Sequence, residues 1–222
     1  MAETTAYLEK LSFWEHLSPD EKRFAERNSG IRRVEKNAFV YSRDCACLGF
    51  VLVISGSART YLLSPEGREI TLFRLKSGDP CVLSASCVIR RIKVETHMVA
   101  EEDTTLLVMN AEAFLKLTEQ NIFVRCFLYE CATESFSSVV GTMESILFSS
   151  FDERLASFLI SEYDRGKSAQ IRMTQSEIAK QVNSAREVVA RMLRQFSDEG
   201  LVKVSRGAVS ITDPEGLRAI AK

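Results

Sequence analysis

The stretch Thr174–Ile211, TQSEIAKQVNSAREVVARMLRQFSDEGLVKVSRGAVSI, decides the fold of the C-terminal part of the chain. It contains two helix-start patterns ten residues apart, Thr174–Glu177 and Ser184–Glu187, each with a hydroxyl residue followed by Glu. In such a capping box the hydroxyl accepts a hydrogen bond from the N3 amide, and the Glu carboxylate reaches back to the cap. The spacing predicts two short helices joined by a tight turn.

Apolar residues follow both starts at helical spacing, and Gly200 is placed to end the second helix. They are Ile178, Ala179 and Val182 in the first helix, and Val189, Met192, Leu193 and Phe196 in the second. Two β-branched runs, Leu201–Val204 and Ala208–Ile211, then flank Ser205-Arg206-Gly207 and predict a hairpin. Two helices followed by a hairpin predict a winged helix-turn-helix, whose second helix enters the DNA major groove.

Three charged residues at the start of the second helix, Arg186, Glu187 and Arg191, are predicted to point away from its apolar stripe. Arg can bind guanine O6 and N7 together, and Glu can accept from cytosine N4. A carboxylate facing DNA suits base reading better than non-specific binding. The alternative is a solvated helical hairpin in which Glu187 and Arg191 form an i,i+4 ion pair.

The motif Arg186-Glu187-x-x-x-Arg191, with the wing behind it, resembles the Crp/Fnr superfamily of bacterial transcription regulators. The stretch VISGSARTYLLSPEGREITLFRLKSGD, with its glycine turns, resembles the β-roll of the same family. The resemblance implies an α+β chain with an N-terminal antiparallel β-roll of the cyclic-nucleotide-binding jelly-roll type, a long dimerisation helix and the winged helix-turn-helix. It also implies a homodimer on an inverted repeat with TGTGA-like half-sites, and RNA polymerase as a partner if the protein activates transcription. We expect Thr174, Ser176 and the wing's Arg206 to contact DNA phosphates.

The charge distribution agrees with a DNA-binding C-terminus. The chain has a net charge of −1, but Lys167–Lys222 contains ten Lys and Arg and six Asp and Glu. The excess of +4 lies where the helix-turn-helix is predicted. No apolar run is long enough for a membrane span and no signal peptide is evident, so we expect a cytoplasmic protein without membrane contact.

The preceding part of the chain alternates short apolar strands with turns. The predicted strands are Leu48–Ser55, Ala58–Leu63, Glu69–Leu75, Val94–Ala100 and Thr105–Met109. After a helical lead-in over residues 1–26, this pattern predicts an antiparallel roll that ends near residue 118.

A long helix is predicted over residues 119–148, before a DNA-binding domain at 149–222. Residues spaced alternately by four and three form the expected seam of a two-stranded coiled coil, with the polar Thr133 weakening it modestly. They are Ile122, Cys126, Tyr129, Thr133, Phe136, Val140, Met143 and Leu147. A second stripe of Phe127, Cys131 and Phe151 is expected to pack on the roll. The next helix, residues 152–165, is predicted to begin at Asp152, with the domain junction near 147–151.

The sequence does not identify the effector of the predicted roll, because this chain departs from the ligand-binding patterns of the family. Leu83 occupies the position of the ribose-binding Glu, and Glu95-Thr96 replaces the phosphate-binding Arg-Ser pair. Val82 and Ser84 stand where haem-containing members carry Cys-x-His, and no Cys precedes Cys45 to form an N-terminal iron–sulfur cluster. Cyclic AMP, haem and such a cluster are therefore not supported.

Two effector hypotheses remain beside a purely structural roll. Thiols at Cys45, Cys47, Cys81 and Cys87 could converge as a redox or soft-metal sensor, although free Cys is often a core residue. A small apolar or aromatic acid could bind a pocket of Cys81, Val82, Leu83, Ser84 and Ala85, with His97 or Arg90 at its carboxylate.

Three functions follow: a gated regulator, a ligand-independent regulator with a structural roll, and a cupin-like enzyme. Two histidines in the whole chain make the enzyme improbable, because such metal sites need clustered His and carboxylate ligands.

Overall fold

The computed structural model describes residues 2–41, 48–65, 67, 69–82, 96–166 and 169–221. These residues form two compact units, Met1–Arg68 with Leu72–Val140, and Gly141–Lys222 with the segment Glu69–Thr71. No helix in the described ranges is both long and apolar enough to cross a membrane.

The first unit begins with helix α1 (Ala2–Leu8), a 3-10 turn (Trp14–His16) and helix α2 (Pro19–Arg27). Helix α2 begins with a capping box: Glu21 N donates to Ser18 Oγ, and Ser18 N donates to Glu21 Oε2 at 2.7 Å. This bond from the Ser18 amide stabilises the carboxylate and holds the pKa of Glu21 below its usual value.

Eight strands in the described residues follow, and they confirm the predicted antiparallel sheets. They are β1 (Ser29–Val34), β2 (Phe39–Tyr41), β3 (Phe50–Ser55), β4 (Ser57–Leu63), β5 (Glu69–Lys76), β6 (Pro80–Cys81), β7 (His97–Ala100) and β8 (Thr104–Met109). One sheet has the order β1-β8-β3-β6 and the other β2-β7-β4-β5.

Strand β3 is apolar along its length because both of its faces are covered. Val51 and Val53 belong to the core cluster that contains Met98 of the other sheet. Phe50 and Leu52 point the opposite way, into a cluster formed with helices. A strand alternates faces at every residue, so burial on both sides produces a continuous apolar run.

Two helices complete the first unit: α3 (Ala111–Gln120), capped by Asn110, and the long α4 (Ile122–Phe148), whose C-terminal residues belong to the second unit. Phe127 and Cys131 of α4 are buried against the roll, as predicted. The prediction that Phe151 continues this stripe is wrong, because α4 ends at Phe148 and Phe151 packs on the core of the second unit.

The second unit contains four further helices and a three-stranded sheet. They are α5 (Phe151–Gly166), β9 (Gln170–Ile171), α6 (Gln175–Gln181), α7 (Arg186–Asp198), β10 (Val202–Ser205), β11 (Ala208–Ile211) and α8 (Pro214–Ile220). The predicted hairpin is confirmed as β10 and β11, and the sheet order is β10-β11-β9. The short strand β9 was not expected from the sequence.

The start of α5 differs from the prediction that Asp152 is its cap. Ser150 takes that role: its amide donates to Glu153 Oε2 at 2.9 Å, and its hydroxyl accepts from Glu153 N at 3.4 Å. The Ser150 hydroxyl also hydrogen-bonds Asp152 and lowers the pKa of that carboxyl. A serine outcompetes the aspartate here because it lies at the last non-helical position, where a cap must stand.

Candidate nucleic-acid interface

The start of α6 has the predicted capping box. Thr174 Oγ1 accepts from Glu177 N at 3.2 Å, and Thr174 N donates to Glu177 Oε2 at 2.7 Å. The same hydroxyl donates to Glu177 Oε2 at 2.8 Å. The hydroxyl of Thr174 is therefore already engaged within the helix start, as donor and as acceptor.

The start of α7 corrects the second capping prediction. Ala185, not Ser184, is the N-cap, and no side chain caps the helix. Asn183 has a left-handed backbone with φ of 51°, and Ser184 N donates to Ala179 O at 3.0 Å. The turn is thus closed by backbone hydrogen bonds, and α7 begins one residue later than expected. The consequence is functional, since the Glu187 carboxylate is not consumed by a cap.

The buried face of α7 agrees with the sequence. Val189, Leu193 and Phe196 are fully buried and belong to the core that includes Ile178 of α6. The helix stops at Gly200, whose φ of 78° lies in the left-handed region that favours glycine. These contacts hold α7 with its opposite face toward solvent.

All three predicted base-reading residues are exposed: Glu187 and Arg191 lie on that opposite face, and Arg186 is the first residue of the helix. No ion pair joins Glu187 to Arg191 in the described part of the chain, although their i,i+4 spacing would allow one. The alternative of a self-neutralised helical face is therefore not realised. All three side chains remain available to a partner.

The exposed cations of the second unit divide into two groups. Arg165 pairs with Glu162, Lys180 with Glu69, and Arg218 with Asp164 at 2.6 Å. The last pairing lowers the pKa of Asp164. The other group makes no ion pair with any residue that the structure describes: Arg172, Arg186, Arg191, Arg194, Lys203 and Arg206. These cations lie on or beside the helix-turn-helix and the wing, where phosphate groups would neutralise them.

A crevice of about 320 Å³ lies between the start of α6, the first turn of α7 and the tip of the wing. Its walls include all three predicted phosphate-binding residues, Thr174, Ser176 and Arg206, together with Arg186. The structure therefore brings one base-reading residue next to the phosphate set. Glu187 and Arg191 do not line this crevice.

Sequence reasoning did not single out Arg172, Arg194 and Lys203. Arg194 follows Arg191 by three residues and Glu187 by seven, so helical spacing places it on the reading face. This spacing could have identified Arg194 from the sequence as a neighbour of Glu187 and Arg191 on α7. Lys203 alternates with buried strand residues in the wing, which could have marked it as outward-facing.

Comparison with known proteins agrees with this geometry. A model of the Crp-like helix-turn-helix domain matches residues 153–220, and a model of the cyclic nucleotide-binding domain matches residues 31–121. A solved structure from Eubacterium rectale, described as a transcriptional regulator of the Crp/Fnr family, is 38% identical. The alignment covers 96% of this chain and 99% of that one, with a TM-score of 0.91. The chain belongs to the Crp/Fnr family.

More distant relatives are also transcription proteins of this kind. The Cyclic AMP receptor protein of Thermus thermophilus is 25% identical over 170 residues, covering 77% of this chain and 78% of the relative. The Transcriptional activator protein anr of Pseudomonas aeruginosa is 28% identical over 201 residues, covering 86% and 80%. The protein is thus a DNA-binding transcription regulator of the Crp/Fnr type, and its family is not one of enzymes.

The predicted effector residues are brought together only in part. Cys81 lies in the core between the two sheets, and Val82 lies in the core beneath the helices. His97 is half-buried and stacks on Tyr61, with ring centroids 5.4 Å apart. These three do not share one core cluster, and Leu83, Ser84, Ala85 and Arg90 lie outside the described residues.

Three of the six cysteines, Cys81, Cys126 and Cys131, lie among the described residues. Cys81 and Cys131 are buried, whereas Cys126 is exposed on α4. Burial raises the pKa of Cys131 to about 12, so this thiol stays protonated near neutral pH. Cys45, Cys47 and Cys87, the other members of the predicted sensor, lie outside the described residues.

The outer face of α4 forms a second candidate interface, here called the α4 seam. Its predicted members are exposed apolar side chains rather than core residues. Relative exposures are 57% for Ile122, 62% for Tyr129, 68% for Phe136, 43% for Val140, 54% for Met143 and 68% for Leu147. A continuous exposed apolar stripe of this kind marks an interaction surface.

Proposed function

We propose that the protein is a homodimer that binds an inverted repeat with TGTGA-like half-sites, and that the state of its roll controls this binding. The observation that carries the proposal is the pair of exposed surfaces, the α4 seam and the unpaired charged face of α7. The first surface suits a second copy of the chain, and the second suits DNA.

Dimerisation through the α4 seam follows from the chemistry of its side chains. Phe136 and Leu147 leave two thirds of their surface in water in the single chain. Fully burying such a side chain stabilises by roughly 1.5–3 kcal/mol, so several heptad positions together supply a stable helix pair. A two-fold dimer then presents two α7 helices to half-sites one DNA turn apart.

Base reading is assigned to Arg186, Glu187 and Arg191. The two arginines are suited to guanine in the major groove, and the uncapped Glu187 is suited to cytosine N4. Ser176 and Arg206 in the crevice contact flanking phosphates. Thr174 acts there by shaping the start of α6, because its hydroxyl is already bonded to Glu177.

Control by the roll is supported by the match to a cyclic nucleotide-binding domain at residues 31–121. A cyclic nucleotide is not supported as the effector, since Leu83 and Glu95 replace the residues that would hold its ribose and phosphate, unless Arg90, Arg91 or Lys93 takes over that role. An effector would act by shifting the population of α4 and α5 arrangements in the dimer. We retain the oxidation state of the cysteines or a small apolar acid as the effector class.

A ligand-independent regulator is the second candidate. It is favoured by the burial of Cys81 and Val82 in separate, packed core clusters. DNA affinity measured with and without a mild oxidant or cell extract separates the two: an unchanged affinity supports a structural roll.

The test of base reading is a fluorescence-anisotropy titration on an inverted TGTGA repeat and on scrambled DNA. We expect Arg191→Ala to weaken specific binding by roughly 1–3 kcal/mol for each half-site and to leave scrambled DNA nearly unaffected. Arg165→Ala, on a paired surface away from α7, is the matched control. Equal weakening on both DNAs would show that Arg191 holds phosphates instead of reading a base.

A further inference from the structure

The junction between α4 and α5 is short and is crossed by one arginine. Helix α4 ends at Phe148 and α5 begins at Phe151, so only Ser149 and Ser150 lie between them. The last turn of α4 has no basic residue of its own. Arg154, from the first turn of α5, reaches back and donates from Nη1 to Ser149 O at 2.6 Å and to Ser145 O at 3.5 Å.

The rest of the Arg154 side chain is also held inside the junction. Its guanidinium carbon lies 5.7 Å from the centroid of the Phe151 ring. Its Nε is buried and makes no hydrogen bond to the part of the chain that the structure describes. This differs from Arg165 on the same helix, whose side chain is 62% exposed and pairs with a carboxylate. The contacts of Arg154 therefore lie within the α4–α5 junction, and not with a carboxylate on the surface.

The contact has a clear physical basis. The last carbonyl groups of a helix lack hydrogen-bond donors within the helix and carry partial negative charge. A cation that donates to them supplies the missing hydrogen bonds and offsets this charge. Arg154 does this from the following helix, so the same contact that caps α4 also fixes the direction in which α5 leaves it. The Ser150–Glu153 capping box fixes the start of α5 beside it.

We infer that Arg154 is a positioning residue that sets the angle between α4 and α5. In the homodimer proposed above, on which this inference rests, that angle determines the separation and orientation of the two α7 helices. Arg154 therefore selects the spacing between half-sites while contacting no DNA. A lysine does not replace it, because an ammonium has no planar group to stack on the Phe151 ring.

The experiment measures DNA binding by the full chain to inverted repeats whose central spacer is shortened or lengthened by one base pair. Wild-type protein is expected to prefer one spacer by roughly tenfold over its neighbours, since half-site separation is a geometric requirement. In Arg154→Ala and Arg154→Lys, the ratio of affinities for the preferred spacer and its neighbours is expected to fall close to one. Both variants should keep the wild-type ratio between TGTGA and scrambled half-sites, because α7 is untouched. Arg165→Ala should retain the spacer preference.

Each outcome decides a different statement. If wild-type protein prefers one spacer and Arg154→Lys keeps that preference, the positioning role is wrong. If the variants lose spacer and sequence preference together, Arg154 supports the fold of the second unit and no more. Arg154→Lys retains the charge and the aliphatic part of the side chain. The spacer preference can therefore still be measured with this variant if Arg154→Ala fails to fold. If wild-type protein sediments as a monomer and shows no spacer preference, the homodimer itself fails and this inference fails with it.

Discussion

Helices α7 and α4 both carry apolar residues at regular helical spacing, but they use them differently. On α7, Val189, Leu193 and Phe196 are buried by their own chain, and Met192 is partly buried against the same core. On α4, Phe127 and Cys131 are buried, whereas the α4 seam is exposed. The difference shows that periodicity identifies a face that needs a partner without saying whether the partner is the same chain or another.

The first prediction contrasts the two faces of α4 through their thiols. At pH 8 iodoacetamide should modify Cys126, which lies in the α4 seam, in native protein diluted to the monomer, and should modify Cys131 only after unfolding. A pKa of about 12 leaves Cys131 with roughly a thousandfold less thiolate than an ordinary cysteine, and burial excludes the reagent as well. Peptide mass spectrometry reports both sites. Fast native labelling of Cys131 would mean that this face of α4 is not packed on the roll.

The second prediction tests the buried face of α7. Leu193→Ala should lower the free energy of unfolding of the C-terminal unit by about 2–5 kcal/mol, because it removes a fully buried side chain and leaves a cavity. Urea denaturation followed by circular dichroism measures the loss. Arg165→Ala, whose side chain is largely exposed, should change it by no more than about 0.5 kcal/mol. A similarly small effect for Leu193→Ala would argue against the packed face.

The third prediction tests the α4 seam. Phe136→Ala should raise the dimer dissociation constant by roughly a hundredfold, since one large apolar side chain is lost from each copy. Analytical ultracentrifugation over a range of concentrations gives the constant. Ser138→Ala alters an exposed residue of α4 outside the seam and serves as the matched control. A wild-type dimer that survives Phe136→Ala unchanged would have to form through another surface.

The smallest expected effect is at Gly141, in the exposed C-terminal half of α4. A Cβ added there meets no atom within 4 Å, so Gly141→Ala should stabilise the helix by about 0.5–1 kcal/mol. Thermal unfolding monitored by circular dichroism measures this gain. At Gly49 the same change should destabilise, because the backbone has φ of 97° and the Cβ would overlap the Met109 carbonyl oxygen. Loss of stability at Gly141 would reveal a contact that the single chain does not have.

The sequence predicted those parts of the candidate interface that depend on a few neighbouring residues. The Thr174–Glu177 capping box and the Gly200 stop are both confirmed. The Ser184–Glu187 box has the same letters but does not form. There the left-handed Asn183 and the bond from Ser184 N to Ala179 O close the turn first. A local pattern offers a hydrogen bond, and competing backbone bonds decide whether it is used.

By itself, then, the sequence determined the architecture and the exposed positions of Glu187 and Arg191 on α7, because capping, periodicity and turn chemistry act over one or two helical turns. Only the tertiary structure decided that Phe151 belongs to the second core and that Arg186 shares a crevice with Arg206. It also decided that Arg154 spans the α4–α5 junction. These outcomes depend on which of several compatible partners a side chain reaches in space, and helical periodicity is the same for all of them.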